Sequence, residues 1–157
     1  MKMQRGEGPG QTTPEHDGSE PRTQVAALCW RKGRDGFEVL VVTSRETGRW
    51  VLPKGWPVKG LSAAESARRE AWEEAGVRGK VARTCLGFYS YVKVVDQTEG
   101  VPCVVAVYPM KVKAEARDWP ERDERQRDWV TPAEAAQRVQ EPELQRILAD
   151  FDPAAAG

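Results

Sequence analysis

Short apolar runs separated by polar, glycine-containing turns mark the first third of the chain. Residues 25–30 and 37–43 are rich in β-branched and aromatic side chains, and a turn-forming stretch at 32–36 separates them. Because such side chains favour extended backbone, we expect a pair of adjacent strands here. Residues 50–52 predict a third short strand, which ends at the proline that follows.

Residues 62–75 carry the pattern of a helix. Ser62 followed by Glu65 fits a capping box, in which the two side chains satisfy backbone N–H groups at a helix start. Gly76 is suited to end the helix, because glycine readily adopts a left-handed backbone. Alanines recur at intervals of three and four on one face, which can therefore lie close to a sheet: Ala64, Ala67, Ala71 and Ala75.

The next part of the chain is again strand-like. Residues 81–95 and 101–112 predict a long hairpin with its turn at 97–100. Residues 114–128 alternate in charge without an apolar period, which favours a solvated loop. Residues 129–130 are expected to form a last short strand.

Two helices are expected at the end of the chain. Thr131 and Pro132, with Glu134 behind them, open the first in a cap-then-proline manner, and residues 141–151 supply the second. Strands on both sides of a central helix, with helices again at the end, predict an α/β protein whose mixed sheet is covered on both faces.

A single domain at residues 22–151 is the expected organisation. Residues 1–21 carry almost no large apolar side chain, so we expect a flexible tail there and a second short one at 152–157. No apolar run approaches the roughly 20 residues needed to cross a bilayer, and the polar start lacks the apolar segment of a signal peptide. The expected compartment is therefore the cytoplasm.

Charge and reactive side chains narrow the possible functions. The 24 Lys and Arg residues balance 24 Asp and Glu, which removes the usual reason to expect a nucleic-acid or anionic-membrane surface. The three cysteines lie in apolar stretches without a paired motif, and the one histidine, His16, is in the expected tail. Proton transfer in a folded site must therefore fall to a carboxylate, Lys, Tyr or metal-bound water.

Three carboxylates on the first helix are the main candidates for chemistry. Glu70, Glu73 and Glu74 stand at i, i+3 and i+4, so all three emerge from one face within a single turn. Their repulsion weakens the helix unless a cation neutralises it, and oxygen-only ligands select a hard divalent ion such as Mg²⁺ or Mn²⁺. A solvated Glu-rich face with ordinary ion pairs is the alternative.

The stretch from Gly55 to Val77 resembles the Nudix box. That pattern reads Gly, five residues, Glu, seven residues, Arg-Glu, an aliphatic residue, any residue, Glu-Glu, any residue, Gly and an aliphatic residue. Eight positions match at the required spacing: Gly55, Arg69, Glu70, Ala71, Glu73, Glu74, Gly76 and Val77. The resemblance implies the Nudix fold, a mixed sheet between helices, and a divalent-metal-dependent hydrolase of phosphoanhydrides.

The resemblance also implies roles for individual residues. Glu70 and Glu74 would be the principal metal ligands and Glu73 an additional one, with Arg69 as an orienting partner of the cluster. Glu70 is our first choice of proton acceptor, and two remote candidates remain open: Glu121 and Glu124.

Residues 22–140 are further similar to diphosphoinositol polyphosphate phosphohydrolases and their bacterial relatives. That subgroup hydrolyses diphosphoinositol phosphates and diadenosine polyphosphates, so the expected partner is a small anionic phosphorylated substrate. Basic positions of the subgroup pattern, together with the first box glycine, are the expected substrate-binding residues: Arg22, Arg45, Lys54 and Gly55. The sequence indicates neither the substrate nor the oligomeric state.

One box position departs from the pattern. Leu61 stands where the first glutamate is expected, so the carboxylate that supports the metal site from that side is missing. A catalytically weak module that binds a phosphorylated metabolite as a sensor is therefore the second hypothesis. Against it, a binder without metal chemistry has no physical reason to keep the repulsive glutamate cluster.

Overall fold

The computed structural model describes residues 22–96 and 98–155, and within them the chain forms one mixed sheet with helices on both faces. The strands are β1 (Arg22–Lys32), β2 (Phe37–Thr43), β3 (Trp50–Val51), β4 (Lys54–Gly55), β5 (Val77–Val81), β6 (Gly87–Asp96), β7 (Glu99–Glu115) and β8 (Arg127–Val130). The helices are α1 (Ala63–Ala75), α2 (Pro132–Arg138) and α3 (Pro142–Ala149).

Strands β1 and β7 form the centre of the sheet and run parallel along nine paired residues. On one side, β1 pairs antiparallel with β2 and with the short β4. On the other side, β7 pairs with β6 along its first half and with β5 along its second half. Strand β8 adds to β2, so that the chain returns to the opposite edge before α2 begins.

The alternation of side chains along β1 builds two separate cores. Val25, Ala27 and Cys29 face α1, whose alanine face is fully buried against them. Ala26 and Leu28 face the other way, into a second core with α2 and α3. Because successive strand residues point to opposite faces, an unbroken apolar strand requires cover on both sides. The predicted fold class, a mixed sheet sandwiched between helices, is confirmed.

Most local predictions match the structure. The Ser62 hydroxyl accepts from the Glu65 amide at 3.1 Å, and Gly76 ends α1 with a left-handed φ of 69°. The Glu65 carboxylate, however, pairs with Arg68 rather than completing the capping box. The hairpin of β6 and β7 forms as expected, and both terminal helices are present, the first capped by Thr131.

Three features differ from the predictions. The first hairpin strand begins at residue 87 rather than 81, because residues 77–81 form a strand of their own. Strand β4 was not predicted, since two residues have no recognisable period. Residues 116–126 lack helix and strand but are packed against the end of α1 rather than fully solvated.

The predicted tail at 1–21 lies outside the described residues. No helix in the described ranges is long and apolar enough to cross a membrane.

The small-residue face of α1 should not tolerate a larger side chain. Ala67 is fully buried between α1 and β1, so Ala67→Leu should lower the free energy of unfolding by about 1–3 kcal/mol. Ala133→Leu on the exposed face of α2 is the matched control and should change it by less than about 0.5 kcal/mol. Urea denaturation measures both, and equal effects would contradict the close packing of α1.

Candidate active site

Helix α1 presses two carboxylates, Glu70 and Glu74, against the short strand β4. The amide of Lys54 donates to Glu74 Oε1 at 3.3 Å, and only 7% of the Glu74 surface remains exposed. A Cβ at Gly55 would lie 2.5 Å from the Glu70 carboxylate, so any residue other than glycine would displace it. The contact between β4 and α1 is therefore made by the backbone of the strand and the carboxylates of the helix, rather than by apolar side chains.

Arg125 supplies a buried cation to this cluster. Its guanidinium lies 3.3 Å from Glu74 Oε2 and 2.7 Å from Glu121 Oε1, and it donates to the carbonyl of Thr43 at 3.0 Å. The Arg125 side chain is only 8% exposed. One arginine thus joins two carboxylates next to Glu70.

Loop residues 116–126 are fixed to the end of α1, which explains how Glu121 and Arg125 reach the helix. The Trp119 indole donates to the Glu74 carbonyl at 3.2 Å. The Glu121 amide donates to the Glu73 carbonyl at 3.0 Å. These bonds satisfy carbonyls that the last turn of a helix leaves without an intrahelical partner.

Burial perturbs both carboxylates, of which Glu74 is buried and Glu70 half-buried. Burial raises the pKa of Glu70 well above its usual range, and the charges of Glu74 and Glu73 raise it further. Burial also raises the pKa of Glu74, although the charges of Arg125 and Lys54 oppose that shift. Ionising both groups together is therefore unfavourable, and further positive charge beside them would lower that cost.

Glu73 does not join this pair. Its carboxylate lies 3.0 Å from Arg69 Nε, and Arg69 is 54% exposed, so the two form an ion pair on the outer side of the helix. In the described part of the chain, no three acidic, cysteine or histidine side chains stand ready in a metal-binding group. The structure thus brings Glu70 and Glu74 together and leaves Glu73 beside them.

The expected substrate-binding residues fall in three places. Lys54 and Gly55 form β4 at the carboxylate cluster. Arg45 lies 2.9 Å from Glu124 Oε1 and within electrostatic range of Glu121 and Glu74. Arg22 begins β1 on the sheet face opposite α1, away from the helix that carries the carboxylates.

Sequence reasoning missed Arg125. It lies in a segment where charges alternate without a period, and the resemblance that covers residues 22–140 gave it no role. Glu121 was named as a candidate and is found in the cluster, whereas Glu124 is paired with Arg45 outside it.

A family model for the NUDIX domain matches residues 21–151. The chain belongs to the Nudix family. Nudix hydrolase 12, mitochondrial, from Arabidopsis thaliana is 37% identical over 119 residues, which cover 73% of this chain and 58% of that protein. Human diphosphoinositol polyphosphate phosphohydrolase 3-alpha is 33% identical over 130 residues, covering 82% of this chain and 75% of that protein.

Solved structures show the same Nudix fold. The crystal structure of a C. elegans Ap4A hydrolase superposes with a TM-score of 0.65 at 19% identity, covering 87% of this chain and all of that one. The NUDIX domain of Shewanella oneidensis NrtR, crystallised with ADP ribose, superposes with a TM-score of 0.62 at 16% identity, covering 83% of this chain and 86% of that one. The chain spans 55–64% of the length of four Arabidopsis relatives that it matches.

Nudix enzymes generally use divalent metal ions such as Mg²⁺. The donors at this site fit such an ion, because they are hard carboxylate oxygens, buried and short of positive charge. The neighbouring carboxylates Glu73 and Glu121 form ion pairs with Arg69 and Arg125.

Stability of this Nudix domain without metal should fall as the pH rises from about 5 to about 8. Folding raises the pKa of these carboxyl groups above the unfolded value of about 4.3. Their contribution to stability is therefore complete below that unfolded pKa, and it is lost as the pH rises through the folded pKa. Urea denaturation in a chelator should show this slope. Glu70→Gln should reduce it, and the exposed control Glu65→Gln should keep it.

A pH-independent free energy of unfolding in the chelator would contradict the raised pKa values. Added Mg²⁺ should flatten the wild-type profile, because a bound cation stabilises the ionised carboxylates.

Proposed function

We propose that this protein is a divalent-metal-dependent hydrolase of a phosphoanhydride in which a diphosphate is linked to another group. The observation that carries the proposal is the Glu70–Glu74 pair, half-buried and buried respectively, which α1 holds against β4 and whose pKa values burial raises. Family membership and the phosphohydrolase among the relatives support the same reaction. The two expected substrate types are diphosphoinositol polyphosphates and diadenosine polyphosphates. The first appears in the name of a relative and the second in the name of a structural neighbour.

Glu70 and Glu74 would hold the metal ion, Mg²⁺ or Mn²⁺, with Glu73 as an additional ligand. When bound, the ion would neutralise phosphate oxygens and lower the pKa of a water molecule. Arg69 would orient Glu73 through their ion pair. The amide of Lys54 fixes Glu74, and the close approach at Gly55 fixes Glu70.

The cations around the cluster bind the substrate phosphates. Lys54 and Arg45 are the expected contributors, since the charges of both act on Glu74. Glu70 remains our first choice of proton acceptor. Glu121 is the second, because it lies in the cluster, and Glu124 ranks below it because its carboxylate is bound to Arg45 outside the cluster.

The second candidate is a module that binds a phosphorylated metabolite without turnover. Leu61, 42% exposed, motivates it, because this position brings no carboxylate to the site. Tight binding of a phosphorylated ligand with no hydrolysis at any metal concentration would favour it.

The cytoplasmic location and the absence of a nucleic-acid partner stay predictions. Relatives from Arabidopsis thaliana carry the word mitochondrial in their names, which leaves the compartment to be measured. Fractionation of the source cells would decide it.

Glu74→Gln should abolish hydrolysis while the protein remains folded. Loss of a principal metal ligand should lower the rate by at least about a thousandfold, equivalent to about 4 kcal/mol of barrier. The measurement is phosphate release from diadenosine polyphosphates, ADP-ribose, nucleoside triphosphates and diphosphoinositol phosphates with Mg²⁺ or Mn²⁺. Glu65→Gln, on the same helix but paired with Arg68 at the surface, should retain full activity.

Wild-type protein that cleaves none of these compounds would refute the proposed reaction. A Glu74→Gln variant with wild-type rates would instead refute the assignment of this carboxylate.

Leu61→Glu should change the metal requirement more than the stability. The position is exposed and precedes α1, so a glutamate costs little there and supplies the carboxylate that the box lacks. A titration of activity against Mn²⁺ should shift to lower concentrations, by about tenfold if one further ligand is gained. An unchanged titration would mean that this position plays no part in metal binding.

A further inference from the structure

The carbonyl groups of residues 73–76, where α1 ends, are all bonded to another part of the chain. A helix leaves its last carbonyls without an intrahelical partner, so these groups need donors from elsewhere. Residues 116–127 supply four hydrogen bonds, which we call together the carbonyl clamp: the Glu121 amide donates to Glu73 at 3.0 Å, the Trp119 indole to Glu74 at 3.2 Å, the Arg127 guanidinium to Ala75 at 2.6 Å and the Ala116 amide to Gly76 at 2.8 Å. The end of α1 is therefore fixed by the segment that also carries Arg125.

Arg127 connects the two sides of the carbonyl clamp through one guanidinium. Its Nη1 donates to the Ala75 carbonyl, and its Nη2 donates to the Ala116 carbonyl at 2.9 Å. The guanidinium carbon also lies 3.9 Å from the centre of the Trp119 ring, which is within the range of a cation–π contact. Arg127 therefore fixes the distance between the helix end and the loop, and with it the ring that donates to the Glu74 carbonyl.

Glu115 holds Arg127 in turn. Arg127 Nε lies 3.8 Å from Glu115 Oε2, and the same oxygen accepts a hydrogen bond from the Trp129 indole at 2.6 Å. The other oxygen of Glu115 lies 3.5 Å from Arg31 Nη1. The Arg127 side chain is 22% exposed, and its contacts with two carbonyls, one ring and one carboxylate restrict its rotation. The carbonyl clamp is therefore held in one geometry.

Electrostatics also favours a cation at this end of α1. The C-terminal end of a helix carries partial negative charge, and Glu73 and Glu74 add two carboxylates within its last turn. That turn contains no lysine or arginine of its own. Arg127 supplies positive charge from β8 instead, at the carbonyl of the residue that follows Glu74.

We propose that Arg127 is a positioning residue for the metal-binding carboxylates. It acts through the Ala75 carbonyl and the Trp119 ring, which set the backbone position of Glu74 and so the place where its carboxylate meets β4. Arg125 contacts the Glu74 carboxylate directly, whereas Arg127 contacts the backbone next to it. The inference rests on the proposed function, since it gives Arg127 the task of keeping the metal ligands in place.

Arg127→Lys tests the proposal, with Mn²⁺ as the probe. Lysine keeps the charge but loses the planar fork, so it cannot bond both carbonyls and stack on the Trp119 ring at once. The Kd for Mn²⁺, measured by electron paramagnetic resonance without substrate, should rise about tenfold, the smaller of the losses typical when a group that supports a metal ligand is removed. For diadenosine tetraphosphate, kcat should fall by a similar factor while KM stays unchanged, because Arg127 acts on the metal ligands and not on the substrate.

Arg138→Lys is the matched control. The Arg138 side chain is 24% exposed, its guanidinium lies 4.9 Å from the centre of the Trp50 ring, and it is 3.0 Å from Asp128 Oδ2. It thus resembles Arg127 in burial and in the kind of contact, but it belongs to α2. Arg138→Lys should leave the Mn²⁺ affinity and kcat unchanged. Equal effects of the two substitutions on the Mn²⁺ affinity, or no effect of either, would overturn the positioning role.

Hydrogen exchange measures the carbonyl clamp itself, in the absence of metal. Arg127→Lys should speed the exchange of the Ala116 and Glu121 amides, which donate to the end of α1, and Arg138→Lys should not. Unchanged exchange in both variants would contradict the role of Arg127 in the clamp.

Trp119→Phe is the second variant if Arg127→Lys fails to fold by circular dichroism. It keeps an aromatic ring for Arg127 but loses the N–H that donates to the Glu74 carbonyl. A rise in the Kd for Mn²⁺ is again expected, and an unchanged Kd would overturn the proposal.

Binding and turnover together separate this inference from the proposed function. Wild-type protein that binds Mn²⁺ but cleaves no phosphoanhydride would refute the hydrolase, and the Mn²⁺ affinities of the variants would still decide the role of Arg127. Wild-type cleavage that Arg127→Lys leaves unchanged, with the same Kd for Mn²⁺, would overturn the positioning role and leave the hydrolase standing. Wild-type protein that binds no Mn²⁺ and cleaves nothing would overturn both.

Discussion

The site depends on the burial of two like-charged groups between a helix and a two-residue strand. Glu70 and Glu74 would separate into solvent if α1 could move away from the sheet. The helix cannot do so, because its alanine face is buried against β1 and leaves no space for a shift. The apolar core on one side of α1 thus supplies the free energy that holds the two carboxyl groups together, and a bound cation would lower the cost of ionising both.

The sequence predicted the helix well because its signals are local. Ser62, Gly76 and the alanine spacing each act within one or two turns, and the structure shows the expected cap, end and buried face. The box glutamates were placed correctly for the same reason. The separation of Glu73 from Glu70 and Glu74 could not be predicted. It follows from the pairing of Glu73 with Arg69 and from the burial of Glu74, and both depend on what packs beside the helix.

Long-range contacts account for what the sequence did not reveal. Arg125 reaches Glu74 across 51 positions of sequence, and Arg49 reaches Glu141 across 92. Neither arginine is a position of the Nudix box, and the wider resemblance gave neither a role, so its burial follows only from the way the sheet folds back. Strands β4 and β5 were missed on similar grounds, because β4 is two residues long and β5 is defined by its partner β7 rather than by its own composition.

Lys54 lies where the two faces of the sheet meet. Its amide lies on the side of α1 and the carboxylates, whereas its ammonium lies over Tyr91 on the side of α2 and α3. Burial lowers the pKa of that ammonium, and the Glu74 charge opposes the shift, so the state of the lysine depends on the charge of the carboxylate cluster. A cation bound to the carboxylates would weaken that support, and an anionic phosphate beside Lys54 would restore it. Metal and substrate phosphate therefore have an electrostatic reason to enter this site together.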